Sequence, residues 1–361
     1  MKRIEEQVPG HRDLAKQILL WITCAKRPLT TVELRHALAI EVGAAEFGED
    51  ALPEIEDMVL VCVGLVTIDE QSEIIRLVHY TTQQYFDKNR GKWFSNAEAD
   101  ITATCATYLS FDVFEGGFCR TDEAYKERMR SNPFYDYSAH YWGNHARESP
   151  TLCQEVIDFL ESDAKVESSS QALMTEEWWM HSQNVPRQMT GLHLAAYFGI
   201  RDGMQILTRR NIMDRRDSHG RTPLSWAAER GHEDIVKLLL GTGKVDIDSQ
   251  DKNGRTPLSW AAQAGSGAIV KLLLDTGKVD VDAKDQSGRT PLSWAAKNGW
   301  CSTAKLLVES GADVKGTGGT GWTTLLTIMP RVVWQVTNFF WWERKGCCLY
   351  CAVGLGEGNI L

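Results

Sequence analysis

A mainly α-helical chain in three parts is predicted: an N-terminal domain of helices with one small β-hairpin, a helical connector, and a solenoid of stacked repeats. Three observations carry this. The nonapeptide G-R-T-P-L-S-W-A-A at Gly220–Ala228 recurs residue for residue at Gly254–Ala262 and at Gly288–Ala296. Its prolines, at 223, 257 and 291, keep a constant spacing of 34 residues. A period near 33 is the mark of units that cannot bury their apolar face alone and must stack. Upstream, residues 11–90 read as three helices, a hairpin and a further helix.

In the N-terminal part, Asp13–Ala25 is the first expected helix, ending before the basic turn Lys26-Arg27-Pro28. Thr30 and Glu33 have the spacing of a capping box, with Leu29 and Leu34 placed as a hydrophobic staple. A third helix is expected from about Pro53 through Val63. The short β-rich runs Leu65–Asp69 and Glu73–His79 flank the polar turn Glu70-Gln71-Ser72. Three helices followed by a hairpin is the order of a winged helix.

In the connector, Ser95 and Glu98 suit a capping box for a helix through Tyr108, and Asn132-Pro133 can open another running to about Arg147. His140 and His145 lie five apart, which puts them on different helix faces and off the four-residue spacing of zinc-binding helices. Glu167–Gln171, with three successive serines, reads as the linker ahead of the repeats.

Composition narrows the function. The chain has 361 residues, 43% hydrophobic and 24% charged, with a formal net charge of −9. That balance argues against non-specific affinity for nucleic acid or an anionic membrane. Nine cysteines, six of them far apart, suit reduced thiols used as small apolar residues. Ile18–Ile22 is too short to span a bilayer and reads as a core helix. An intracellular, cytoplasmic chain is therefore expected, with no membrane or nucleic-acid partner.

The repeat motif, G-R-T-P-L-S-W-A-A then I-V-K-L-L-L then D-(I/V)-D, closely resembles the ankyrin repeat. A divergent first copy spans about 187–216, with Thr190-Gly191-Leu192-His193 in place of the strict form. The strict copies start near Asp217, Asp251 and Asp285, and a partial fifth fails after Trp322. The segments Ala25–Glu41, Val61–Asp69 and Leu77–Phe86 resemble the winged helix that follows the NTPase module in fungal NACHT-type proteins of the STAND class, a domain named after a GPI inositol deacylase. The predicted organisation is 1–10 as the remnant of a preceding domain, 11–90 winged helix, 91–184 helical connector, 185–325 ankyrin repeats, and 326–361 an atypical apolar tail. That tail reads either as an apolar cap on the last repeat or as translated sequence never selected to fold. No Walker loop occurs, so the NTPase is expected to be absent and the chain to be a severed or partial product.

The resemblance implies a protein-protein interaction module, the C-terminal sensor or regulatory part of a STAND-type signalling protein. Catalysis is not expected: no G-x-S-x-G elbow exists, and no nucleophile, metal or cofactor constellation appears. Gly316–Gly321 satisfies G-x-G-x-x-G outside any βαβ context, and Gly241-Thr242-Gly243-Lys244 lacks the rest of a phosphate loop. The alternative is a DNA-binding winged-helix regulator carrying ankyrin repeats. Residues 1–100 hold 11 Lys and Arg against 17 Asp and Glu, and the third helix carries Glu54, Glu56 and Asp57, which would repel phosphates.

By family resemblance, partners touch the hairpin tips and the concave helix face. The tips carry Ser218, His219 and Arg221, then Lys252, Asn253 and Arg255, then Gln286, Ser287 and Arg289. The ends of the inner helices add Glu229, Arg230, Gln263, Lys297 and Asn298. Arg221, Arg255 and Arg289 form a ladder: either a bidentate reader of acidic groups on a protein partner or solvated template residues. Trp226, Trp260 and Trp294 are expected to pack between repeats.

Overall fold

Periodicity and capping place almost every element. The computed structural model describes residues 2–175, 182–210 and 213–314. The N-terminal domain begins with α1 (Lys2–Glu5) and α2 (Pro9–Cys24). Helix α2 starts four residues earlier than expected because Pro9 sits in its first turn, where a missing N–H costs nothing. Ile4 of α1 is buried in the same core as Ile18 and Leu19. Helix α3 (Thr31–Leu38) opens on the Thr30–Glu33 capping box, with both reciprocal bonds formed. Helix α4 (Ile55–Val61) leads into the antiparallel pair β1 (Val66–Ile68) and β2 (Ile75–Leu77), with Val66 opposite Leu77. Helices α5 (Tyr80–Lys88) and α6 (Arg90–Trp93) close the domain.

The connector comprises α7 (Ala97–Leu109), α8 (Asp122–Ser131), α9 (Tyr135–Glu148), α10 (Gln154–Glu161) and α11 (Asp163–Met174). It joins the N-terminal domain through aromatic and ionic contacts. Trp21 meets Phe134 edge-on at 5.5 Å between ring centroids. Arg27 bridges Glu33 at 2.6 Å and Asp136 at 2.9 Å. The Ser95–Glu98 capping box does not form: Asn96 takes the N-cap position, without a side-chain bond. Glu98 is drawn instead to the buried His145, whose Nδ1 lies 2.6 Å from Oε2, and to Lys26 and Arg90.

The expected linker is likewise overturned. Glu167–Gln171 lies inside α11, with all three serines buried. Polar partners from elsewhere in the chain hold Ser168 and Gln171, while the Ser169 and Ser170 hydroxyls are buried without a hydrogen-bond partner. Arg128 donates to Ser168 Oγ at 2.9 Å, and the Gln171 amide brackets Cys119, accepting its N–H at 2.8 Å and donating to its carbonyl at 3.0 Å.

Four helix pairs follow: α12 (Gly191–Phe198) with α13 (Arg201–Leu207), α14 (Pro223–Arg230) with α15 (Glu233–Gly241), α16 (Pro257–Ala264) with α17 (Gly267–Leu274), and α18 (Pro291–Lys297) with α19 (Cys301–Glu309). The first helices of the pairs stack on one another in one layer and the second helices in another. In each strict unit the Thr hydroxyl caps its helix, accepting from the Ser N–H three residues on, with proline next to it. The alanine pairs, fully buried, let neighbouring helices approach.

Helices α10 and α11 form one further layer beneath the first repeat. Two glycines set that junction. A Cβ on Gly143 would strike the Phe198 ring, and one on Gly191 would strike the Leu160 carbonyl oxygen. Gly191→Ala is expected to destabilise this junction by about 1–3 kcal/mol, because backbone cannot swing aside as a side chain can. Accelerated amide exchange across α10 and α12 would report it; unchanged protection would contradict it. Residues 315–361, including the G-x-G-x-x-G string, the partial fifth repeat and the apolar tail, lie outside the described residues.

Candidate interaction surface

The three strict repeats build their tips identically from one aspartate. Asp217 Oδ1 accepts the N–H groups of His219 and Arg221, both at 2.9 Å, while its Oδ2 accepts the Trp226 indole N–H at 3.0 Å. Asp251 does the same for Asn253, Arg255 and Trp260, and Asp285 for Ser287, Arg289 and Trp294. Each tip turns on a glycine with positive φ, 78° at Gly220 and Gly254 and 72° at Gly288. Successive tips are tied by one backbone bond each. Ser218 donates to the Arg187 carbonyl, Lys252 to that of His219, and Gln286 to that of Asn253, all at 2.8 Å.

The ladder arginines all stack on indole rings, and the first of them is buried. Arg221 is 6% exposed, its guanidinium 3.5 Å from the Trp226 ring centroid and 4.0 Å from that of Trp260. Arg255 lies 4.7 Å from Trp260 and 4.1 Å from Trp294, and Arg289 lies 4.2 Å from Trp294. Indole and guanidinium therefore alternate along the array. Guanidinium is weakly hydrated and flat, so it stacks on aromatic faces at modest desolvation cost. The indoles are buried between repeats, as their period suggests. Arg221 is corrected from an exposed contact to a packed one; Arg255 and Arg289 are half-buried.

One donor group of each reaches an acceptor within the array, while Nε of Arg221 and of Arg255 is buried without one. Arg221 reaches Glu229 at 2.5 Å, Arg255 reaches Gln263 at 3.0 Å, and Arg289 reaches Asp285 at 3.2 Å. Burial pulls the Arg221 guanidinium below its ordinary range, and Glu229 opposes that shift.

The other sequence-chosen residues fall into two groups. His219, Arg230, Lys252, Asn253, Gln286, Ser287, Lys297 and Asn298 are exposed, while Ser218, Glu229 and Gln263 are half-buried. Ser218 Oγ is engaged, accepting from the Arg187 N–H at 2.8 Å. Asn298 and the half-exposed Trp300 both donate to the Gln263 carbonyl, at 2.8 and 2.9 Å. Arg230 stacks on Tyr197, with 3.8 Å to the ring centroid. Sequence reasoning gave Tyr197 and Trp300 no role and took the three organising aspartates only as the starts of the repeats. The aspartates were visible as a residue repeated at the same period.

A family model described as ankyrin repeats (3 copies) matches the chain twice, over residues 167–251 and 236–317. The array is an ankyrin solenoid. The match begins inside α11, at the layer on which the first repeat rests. A second model, the winged helix domain of GPI inositol-deacylase, matches residues 3–104. No curated protein shows a significant match to the chain. Ankyrin repeats indicate a protein-interaction module. On the winged helix, Glu54, Glu56 and Asp57 of the α4 start are all exposed. Among the described residues no helix is long and apolar enough to cross a membrane.

The first ankyrin unit carries a titratable group of its own. His193 is fully buried, with Nδ1 accepting the Thr190 N–H at 3.1 Å and Nε2 facing the Arg221 carbonyl at 3.2 Å. That pairing requires the neutral imidazole, and burial holds its pKa below the ordinary histidine range. A depressed value means that the stability it supports is complete above the unfolded histidine pKa of about 6.5 and is lost as pH falls toward the folded value. Amide protection factors in residues 190–198, taken relative to the intrinsic exchange rate at each pH, are therefore expected to fall between pH 7 and pH 5. Equal protection factors at both pH values would refute this.

Proposed function

We propose that this chain is a non-enzymatic recognition module that docks a protein partner on its ankyrin tips and inner helix ends. We further propose that it forms the C-terminal sensor part of a STAND-type signalling protein. One observation supports the reading most. The exposed tip side chains His219, Lys252, Asn253, Gln286 and Ser287 ride on loops bonded to one another and braced by buried aspartates. A surface fixed in advance loses little conformational entropy on binding.

Replacing these five residues together by alanine should abolish co-purification of a partner from the native host while leaving the melting temperature unchanged. A partner retained at full affinity would overturn the reading. The non-enzymatic part is tested separately, because ATP or GTP turnover by the pure protein would contradict it.

A further inference from the structure

The three strict repeats are built on one template, yet they differ where the inner helix ends. The residue facing the stacked arginine is Glu229 in the second repeat, Gln263 in the third and Lys297 in the fourth. In the second repeat the arginine's charge is met by a carboxylate at 2.5 Å. In the third, Arg255 meets a neutral amide at 3.0 Å, which bonds but does not neutralise. In the fourth, the acceptor is replaced by a second cation. Lys297 Nζ lies 5.2 Å from the Trp294 centroid, on the same indole that stacks Arg289 at 4.2 Å. Arg289 turns to Asp285, the carboxylate already holding the tip amides and the indole.

The position that follows the alanine pair thus passes from acidic to neutral to basic along the array, and exposed Lys252 adds a cation to the third repeat, whereas the exposed Arg230 of the second repeat lies stacked on Tyr197 of the first. The chain as a whole is acidic, with a net charge of −9, so this cationic stretch runs against its average. It also carries Trp300, 43% exposed beside Asn298. A large aromatic beside fixed cations is the composition of a binding hot spot.

We infer that the face of the third and fourth repeats around Arg255, Gln263, Arg289 and Lys297 docks an acidic segment of a protein partner. Complementary potential would steer such a segment to this end. The inference rests on the recognition reading above and deepens it.

The test uses the full chain and a fluorescein-labelled oligo-glutamate peptide, with an oligo-lysine peptide of equal length as control. Gln263→Glu with Lys297→Glu gives the third and fourth repeats the carboxylate that the second already accommodates, so the fold is preserved. Glutamate-peptide affinity should fall by about tenfold in this double variant. Gln263→Lys alone should strengthen it, which keeps the test decisive if the double variant is unstable. Binding should also weaken with added salt.

Unchanged affinity in both variants, no binding of the glutamate peptide, or equal binding of the lysine peptide would each overturn the inference. So would self-association of the wild-type chain that the double variant abolishes, since the occupant would then be a second copy. A native partner retained by the double variant sinks the charge assignment and leaves the recognition reading standing. Retention by the five-alanine variant sinks that reading instead.

Discussion

Trp260→Ala is expected to cost about 3–5 kcal/mol, the upper range for removing a buried aromatic. Trp260 is 8% exposed and sits between two guanidiniums, Arg221 at 4.0 Å and Arg255 at 4.7 Å. Its removal opens a cavity, uncovers one face of each arginine, and leaves Asp251 Oδ2 without the indole N–H it accepts at 3.1 Å. Arg221 is the more exposed to harm, because a buried cation depends on every neighbour that compensates its desolvation. Trp260→Phe should recover the stacking but not the N–H, and cost about 1–3 kcal/mol for the acceptor left unsatisfied. Chemical denaturation of both variants separates the two contributions. An alanine variant within about 0.5 kcal/mol of wild type would refute the stack as a source of stability.

Leu239→Ala is expected to cost about 2–5 kcal/mol. Leu239 is fully buried on α15, which packs between α13 and α17. The loss would fall on the joints to both neighbouring units. In a solenoid, stability is the sum of unit terms and nearest-neighbour terms, so weakening a central unit should broaden the unfolding transition as well as shift it. A variant melting at the wild-type midpoint with wild-type sharpness would count against the stacking.

The repeats were legible because their sequence is nearly identical and every element signal within them is local. Thr-Pro marks each helix start, the alanine pair each close approach, and glycine each tip. The winged-helix order was legible for the same reason, down to the Thr30–Glu33 box. What sequence could not reveal is where distant polar side chains find partners. Ser168 of α11 looks like a linker residue until Arg128 and Tyr135, 40 and 33 positions away, supply bonds. Glu98 looks like a capping residue until His145, 47 positions on, claims its carboxylate.

The arginines show this most clearly. A charged residue next to a turn glycine reads as solvent-facing. The indole that covers Arg221 from the far side belongs to the following unit, at 260, and no local pattern announces it. The exposure of Lys252, Gln286 and Lys297 could be anticipated; the divergence in charge at 229, 263 and 297 was in plain sight, but its meaning depends on knowing which cation each residue faces.

The joint between successive units is self-contained. Each unit brings an indole to cover the preceding guanidinium, a guanidinium for the following indole, and a tip amide for the preceding carbonyl. Excising residues 251–284 as a block would therefore set Trp294 over Arg221 and the Gln286 amide against the His219 carbonyl, with nothing to mend at the seam. The number of modules is a dial that can be turned without redesigning the scaffold, so reach along a target and choice of fingertip chemistry can change independently of how the rod holds together.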